Sequence, residues 1–321
     1  MTGIRFHSRP WPFVILPLGA LVLSGCQDSS DGAEDAEAVT IVGSATVEPI
    51  ARIAVRESGI DAELSGEGSI AGFEEFCAGE ADVLNASIRM PGSDAAEGIE
   101  DFRSQCEEEG VEFVELPIGV DALSVITNTA NEDVTDITMD ELAQIWGEDS
   151  EVEQWSDVRD EWPDEEIQLF GRSEDSGTFT HFTEELFGDP EGIRDDYEQE
   201  DGLAELAELV AEDENGMAFM GVGNYLAAPE EFQTDITTVT VDGVAPDAAR
   251  SVEGEYPLTR TLYTYVALES LDAQEDVEAY AQRLLDNGDS ILPRAFFYPL
   301  SPEDYEEASQ RLEDRETGVA E

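Results

Sequence analysis

Short strands and helices alternate along this chain, and glycine and hydroxyl residues fill the junction where a strand leads into a helix. The run "AVTIVGSATVEPIARIAVRESG" predicts a strand at 39–42, a turn, and a helix with one apolar face. The same order recurs in "EEIQLFG" followed by "SGTFTHFTEELFG", and in "NGMAFMGVGNYLA". Such alternation is typical of α/β proteins with parallel or mixed sheets. We therefore expect an α/β fold of mixed sheets flanked by helices.

Two further segments predict helices that cover these sheets. In "GSIAGFEEFC", four residues recur at helical spacing and are expected on one buried face: Ile70, Phe73, Phe76 and Cys77. The stretch 191–214 is acid-rich and weakly periodic, which favours a pair of surface helices. Neither segment by itself indicates a function.

The junctions "GSATVEP", "GEGSIAGF" and "EDSGTFTHF" each place hydroxyl residues at the start of a predicted helix. They carry Ser44 and Thr46, then Ser69, then Ser176 and Thr178. A helix start offers unpaired N–H groups and the positive end of the helix dipole, which suit a tetrahedral oxyanion. Serine and threonine are also the preferred helix caps, so each junction alone has an ordinary structural explanation. Their threefold recurrence favours a shared anion-binding role.

An arginine, Arg172, stands just before the third junction. In a cleft, its guanidinium would donate two charge-assisted hydrogen bonds to the same oxyanion. At the surface, it would instead pair with Glu174 or Asp175. We expect the cleft position, because a fork of donors matches an oxyanion held at a helix start.

The N-terminus has the layout of an export signal. Arg5 and Arg9 precede the apolar run "WPFVILPLGALVL", which is short for a membrane span, and the run ends in "LSGC". That ending resembles a lipobox, which implies cleavage before Cys26 and a lipid on its thiol. We expect a signal peptide at 1–25, a lipidated cysteine with a flexible acidic tether at 26–38, and a mature protein anchored in the periplasm or at the cell surface. An ordinary signal peptide with an incidental cysteine is the alternative.

The remaining cysteines and histidines limit the chemistry of the mature chain. Cys77 and Cys106 form an even pair in an exported protein, which favours a disulfide between them. His7 lies in the signal peptide, so His181 is the one histidine left. These residues are too few for a zinc site built from cysteine and histidine, and we expect no metal and no cofactor.

The formal charge is −62, and all 15 basic residues are arginine. Such an acidic, lysine-free surface fits a habitat of very high salt, where the Debye length falls to about 3 Å at 1 M and self-repulsion is screened. The same charge argues against nucleic acid as a partner, since the chain has no basic patch to displace counterions from phosphates.

Several runs together resemble one known family. The segments "GSATVEPIA", "GSIAGFEEFCAGEADVLNASIRM", "VEFVELPIGVDALSVITN", "TMDELAQIW" and "GRSEDSGTFTHFTE" are similar, in order and spacing, to the phosphate-binding proteins of phosphate ABC transporters. This resemblance, over residues 39–300, implies a class II periplasmic-binding-protein-like fold with two lobes and two hinge strand crossings. We expect 39–125 plus 265–321 in lobe 1, 126–264 in lobe 2, and crossings near Leu123–Asn128 and Leu262–Leu268.

The resemblance also implies a ligand and the residues that bind it. It predicts a monomeric, non-enzymatic receptor that encloses inorganic phosphate and delivers it to a membrane permease. The family's ligand groups fall on these positions: Ser44, Ala45, Thr46, Val47, Ser69, Ser87, Arg89, Arg172, Ser176, Gly177 and Thr178. In many members an aspartate follows the serine at position 87 and accepts the proton of phosphate, whereas Ile88 and Arg89 follow it here. Rejection of sulfate would then need another acceptor, such as Asp82, Glu67 or a backbone carbonyl.

Other functions fit the residues less well. The same fold could bind another oxyanion, such as sulfate or molybdate. An exported hydrolase would need His181 as its base, but His181 follows Ser176 by five residues, and we expect it to be a partly exposed helix residue rotated away. The run "GEGSIAG" matches a dinucleotide fingerprint only weakly. A purely structural or adhesive protein would leave the recurring junctions unexplained.

Overall fold

The computed structural model describes residues 38–93, 100–174, 176–188, 192–200 and 202–320. The predicted signal peptide at 1–25, Cys26 and the tether up to residue 37 lie outside the described residues. Among the described helices, none combines the length and the apolar character that a membrane span requires.

Strands and helices alternate through most of the described chain. The strands are β1 Val39–Gly43, β2 Ala62–Leu64, β3 Val83–Ala86, β4 Phe113–Asn128, β5 Asp136–Ile137, β6 Gln168–Gly171, β7 Glu198–Gln199, β8 Gly216–Gly221, β9 Ile236–Thr238, β10 Thr240–Val241 and β11 Thr259–Ala267. The helices are α1 Glu48–Ser58, α2 Ser69–Cys77, α3 Phe102–Glu109, α4 Met139–Trp146, α5 Gly177–Phe187, α6 Leu203–Glu212, α7 Val222–Leu226, α8 Glu230–Gln233, α9 Ala248–Val252, α10 Leu268–Ala273, α11 Glu275–Arg294 and α12 Pro302–Asp314.

Most of these strands belong to one mixed sheet in the order β2-β1-β3-β11-β4-β8-β6-β7, with β9 also paired to β4. β1 is parallel to β2 and β3, whereas β11 is antiparallel to β3 and β4. Beyond β4 the sheet continues through antiparallel β8 and then β6, which is parallel to β8. The expectation of an α/β protein with mixed sheets is confirmed.

The long strand β4 pairs with β11 from Phe113 to Ala122 and with β8 from Leu123 to Thr127. The buried apolar cores divide at the same place. One pair of cores draws on residues within 39–118 and 262–312, and the other pair on residues within 122–258. We call these halves the first and second lobe. The boundaries expected from the sequence, 125/126 and 264/265, fall a few residues after the points where the cores change.

The helices follow their apolar patterns with two exceptions. Phe73, Phe76 and Cys77 of α2 are buried as expected. Ile70, the second residue of the helix, is instead 44% exposed. In the described part of 191–214, the short strand β7 and the single helix α6 replace the expected helix pair. α6 is not a surface element on all sides, since it buries an apolar face in the second lobe.

The predicted disulfide is present. Cys77 at the end of α2 is bonded to Cys106 in α3, and both residues are buried. The bond fastens α3 to the helix that begins at Ser69.

Candidate functional site

Three serines from separate junctions meet in the first lobe. Ser44 follows β1, Ser69 begins α2 and Ser87 follows β3. Ser44 Oγ donates a hydrogen bond to Ser87 Oγ at 3.1 Å, and Ser69 Oγ lies 3.3 Å from the same oxygen. The Ser87 N–H also donates to Ser69 Oγ at 3.1 Å. We call these three residues the serine cluster; the structure thus brings together three of the predicted ligand residues.

Close backbone packing at the end of β1 assembles the serine cluster. Gly43 has a φ of +120°, and a side chain there would overlap the carbonyl oxygen of Asn85. A Cβ on Gly72 of α2 would lie 2.6 Å from the Gly43 Cα. Because both residues lack a side chain, α2 can approach β1 and β3 closely enough for Ser69 to reach Ser87.

The loop between Ser44 and α1 has its own hydrogen bonds. The Ser44 carbonyl accepts from the N–H groups of Val47 and Glu48 at 3.1 and 3.0 Å. Ser44 Oγ accepts from the Thr46 N–H at 3.2 Å. Val47 is buried in the core of the first lobe, whereas Ala45 is exposed. Among the predicted residues of this loop, Ser44 and Thr46 are the ones that carry side-chain hydroxyls, and Ser44 belongs to the serine cluster.

The second lobe contributes the start of α5. Ser176 caps this helix, and its Oγ accepts from the Thr178 N–H at 3.2 Å. Gly177 is the first helical residue and Thr178 the second. The third junction is thus a helix cap, and the remaining amides of the first turn and the helix dipole favour an anion at the same place.

The two lobes touch at the third junction. A Cβ on Gly177 would lie only 2.5 Å from Thr46 Oγ1, so the threonine hydroxyl packs directly against the glycine. Arg260 bridges the same two residues: its Nη2 donates to the Gly177 carbonyl at 3.2 Å and to Thr46 Oγ1 at 3.4 Å. The predicted ligand residues of both lobes are therefore neighbours, with an arginine beside them.

Arg260 is held by a buried acid on the neighbouring strand. Asp121 of β4 is its cross-strand partner, and the Asp121 Oδ2 accepts from Arg260 Nε at 3.1 Å. Both side chains are 9% exposed. Burial opposes ionisation of Asp121, but the neighbouring imidazole of His181 and the charge of Arg260 outweigh it and lower the pKa of Asp121 to about 2. Asp121 is therefore a carboxylate at neutral pH.

His181 completes this group and corrects an expectation. It is 1% exposed, not partly exposed, and its Nδ1 lies 3.3 Å from Asp121 Oδ2. Burial, and then the charge of Arg260, lower the pKa of His181 to about 4. The imidazole is neutral at pH 7 and packs α5 against β4.

The structure does not bring Arg89 to the serine cluster. Its Nη2 and Nε lie 2.8 and 3.0 Å from Glu115 Oε1, and Nη2 also donates to the Ala320 carbonyl. Glu115 is fully buried and needs this cation, because an unpaired carboxylate is costly in a protein interior. The guanidinium of Arg89 therefore binds Glu115 and the C-terminal segment at Ala320.

The other charged candidates have separate places. Arg172 follows β6, is half-buried, and has its carbonyl hydrogen-bonded by the Tyr197 hydroxyl at 2.8 Å. Asp82 accepts from the Thr40 N–H, the Ser270 hydroxyl and the Gln274 amide, so it ties β1 to α10. Glu67 is exposed. Asp82 thus has a structural role and is not an acceptor beside the serine cluster.

Asp121 and Arg260 were not among the residues singled out from the sequence. Each lies within a run of β-forming residues, "GVDALSVITN" and "YPLTRTLYTYVAL". A charged residue inside such a run is buried only when it is paired. That pattern was available in the sequence, but the pairing of the two strands was not.

Comparison with known proteins decides the family. A model described as the PBP superfamily domain matches residues 28–285, which is most of the chain. The chain belongs to the PBP superfamily. Its similarity extends to a solved structure described as a possible phosphate binding protein from Planctomyces limnophilus, with a TM-score of 0.75 and 30% identity over 87% of this chain and 98% of that one.

Two curated relatives match most of this chain. Protein SphX of Synechocystis sp. is 29% identical over 305 residues, 91% of this chain and 86% of the relative. The phosphate-binding protein PstS of Staphylococcus saprophyticus is 24% identical over 306 residues, 93% of this chain and 91% of the relative. The expected two-lobed periplasmic-binding-protein-like fold is confirmed.

Proposed function

We propose that this chain is an extracytoplasmic receptor that binds inorganic phosphate and delivers it to an ABC importer. The observation that carries the proposal is the meeting of the serine cluster with Thr46, the start of α5 and Arg260. Hydroxyls, helix-start amides and a guanidinium are the groups that bind a tetrahedral oxyanion. The choice of phosphate within that class rests on the relatives named above.

The proposed ligand residues come from both lobes. They are Ser44, Thr46, Ser69 and Ser87 with the backbone at Ala45 and Val47 in the first lobe, and Arg172, Ser176, Gly177 and Thr178 in the second. We leave out Arg89, since Glu115 already neutralises it. A ligand that bonds both walls binds the closed form more tightly than the open form, and this difference shifts the population toward closure.

We place the hinge where the cores change, at residues 118–122 of β4 and at residues 258–262, where β11 begins. Among the residues that the structure describes, two strands cross between the lobes there, and β11 shifts its register against β4 between Leu262 and Tyr263. Such an irregularity bends a strand locally. The first lobe would then comprise 39–118 plus 262–321 and the second 122–258, so the boundaries expected from the sequence, 125/126 and 264/265, lie a few residues beyond the hinge.

A receptor that delivers phosphate to an importer must be exported and held at the membrane. Cleavage before Cys26 and lipidation of its thiol would fix the receptor to the membrane, and the acidic stretch up to residue 38 would act as its tether. The expected permease partner is the membrane part of a phosphate importer. Mass spectrometry of the mature protein tests the anchor: a lipid on an N-terminal Cys26 supports it, and an unmodified Cys26 contradicts it.

Isothermal titration calorimetry in molar sodium chloride tests the ligand directly. Phosphate and arsenate should bind, and sulfate and molybdate should bind far more weakly. Preference for sulfate would refute the phosphate assignment and leave the fold unaffected.

A serine variant tests the site. Ser87→Ala removes a hydroxyl from the centre of the serine cluster, and a hydrogen bond to a charged ligand contributes about 1.5–3 kcal/mol, or roughly ten- to a hundred-and-fiftyfold in affinity. Ser58→Ala is the matched control, because its hydroxyl bonds the carbonyls of Ala54 and Val55 within α1. Equal phosphate affinity in the two variants would exclude the serine cluster from the site.

A further inference from the structure

Arg260 occupies a place that joins both lobes and the hinge. It lies on the crossing strand β11, and its Nε and Nη2 are each 3.1 Å from Asp121 Oδ2. The same Nη2 reaches the Gly177 carbonyl in the second lobe and Thr46 Oγ1 in the first. Within the described part of the chain, the third nitrogen, Nη1, makes no hydrogen bond.

We infer that Arg260, held by Asp121, is an anion-binding residue of the cleft and the group that couples ligand binding to lobe closure. The inference rests on the proposed function and names a residue for the same site. In it, Nη1 donates to the bound oxyanion while Nη2 bonds Gly177 and Thr46. A planar guanidinium can serve all of these acceptors at once because its donors form a fixed fork.

The contact with Thr46 also sets the direction of that hydroxyl. A threonine oxygen that accepts from a guanidinium keeps one proton of its own to donate. Because Arg260 donates to a lone pair of Thr46 Oγ1, the hydroxyl proton of Thr46 points away from the arginine and toward an anion in the cleft. Arg260 thus acts on the ligand both directly and through Thr46.

Asp121 has a positioning role in this arrangement. The Asp121 carboxylate pairs with Nε and Nη2 of the guanidinium. This pairing leaves the opposite edge of the guanidinium directed at Thr46 in the first lobe and Gly177 in the second. Because Thr46 and Gly177 belong to different lobes, the contacts of Nη2 with both exist only when the lobes are together. Truncation of Arg260 should therefore weaken phosphate binding and reduce closure.

Calorimetry on the mature protein in molar sodium chloride tests the inference, with phosphate as the ligand. Arg260→Ala should weaken binding by at least about thirtyfold, as expected when a buried, hydrogen-bonded charge partner is removed. Free guanidinium at tens of millimolar should restore part of the affinity, whereas the same concentration of sodium should not. Arg52→Ala is the matched control: it removes an equal charge from an exposed pair with Glu48 and should bind within about threefold of wild type.

Arg260→Lys keeps the charge and the partner Asp121, so it provides an independent test if the alanine variant does not fold. A compact ammonium lacks the planar fork that spans Asp121, Gly177 and the ligand, and we expect an affinity about tenfold below wild type. Small-angle X-ray scattering should show less phosphate-induced compaction for Arg260→Ala than for Arg52→Ala. Compaction and affinity equal to wild type in the Arg260 variants would overturn the inference while phosphate binding stands. A wild-type chain that binds no oxyanion would instead refute the proposed function, and the inference with it.

Discussion

The contact between Thr46 and Gly177 makes a sharp prediction about closure. In Gly177→Ala the new Cβ would lie 2.5 Å from Thr46 Oγ1, and the contact must lengthen by about 0.9 Å to reach ordinary van der Waals separation. Overpacking of this kind costs about 1–3 kcal/mol. The cost falls on the closed form, because only closure brings the lobes together. We expect phosphate affinity to fall by roughly five- to a hundred-and-fiftyfold.

The same substitution should not weaken the unliganded fold. Gly177 has an ordinary helical conformation at the start of α5. Replacement of such a glycine by alanine stabilises a protein by about 0.4–1 kcal/mol, because it reduces the conformational entropy of the unfolded chain. The melting temperature without phosphate should therefore stay level or rise, while calorimetry shows weaker phosphate binding. A loss of both properties together would indicate misfolding instead of hindered closure.

A double-mutant cycle isolates the contact. In Thr46→Ala the nearest atom to the new Cβ is the Cβ of residue 46, at 3.8 Å, which is a normal contact. Thr46→Ala lowers affinity itself, but adding Gly177→Ala to it should cost nothing further. If Gly177→Ala weakens binding equally in both backgrounds, or in neither, the reasoning about closure is refuted.

Two other predictions concern His181 and Arg172. The folded-state pKa of His181 is about 4, below its ordinary value of 6.5, so the unfolded chain takes up a proton first and stability is lost as pH falls from about 6.5 to 4. Urea unfolding at constant salt should show wild type losing about 2 kcal/mol more than His181→Asn between pH 7.5 and pH 5; parallel losses would contradict the neutral, buried imidazole. For Arg172→Ala, phosphate calorimetry should show more than about tenfold weaker binding if the guanidinium is a ligand group, and near-normal affinity would place it outside the cleft.

Two members of the serine cluster, Ser44 and Ser69, were predictable from a local signal, because each stands where a predicted strand leads into a helix. Ser87 came from the family resemblance alone, and it joins the other two because the carboxyl ends of the parallel strands β1 and β3 lie at one edge of the sheet. The structure adds that the missing side chains of Gly43 and Gly72 let α2 pack closely enough for the three serines to touch. Hydroxyl residues at strand–helix junctions therefore carried most of the information about the candidate site.

The arginines were harder to place because their partners are distant in sequence. Arg89 is next to the Ser87 junction, yet its position is decided by Glu115, which lies 26 residues away, and by the C-terminal Ala320. Arg260 reaches its partner Asp121 across 139 residues. His181 was expected to be a partly exposed helix residue, and it is buried because α5 packs toward the crossing strand that carries Asp121. Such pairings follow from the topology of the sheet and not from any local pattern.

A crystal structure of the mature protein with arsenate would show where the anion binds, because the anomalous signal of arsenic locates it without reference to the protein. We expect one strong peak between the hydroxyls of Ser44 and Ser87 and the first turn of α5, within hydrogen-bonding distance of Thr46 and Arg260. A peak elsewhere, for example in the cavity lined by Arg89 and Arg311, or no peak in protein shown to bind arsenate, would contradict it.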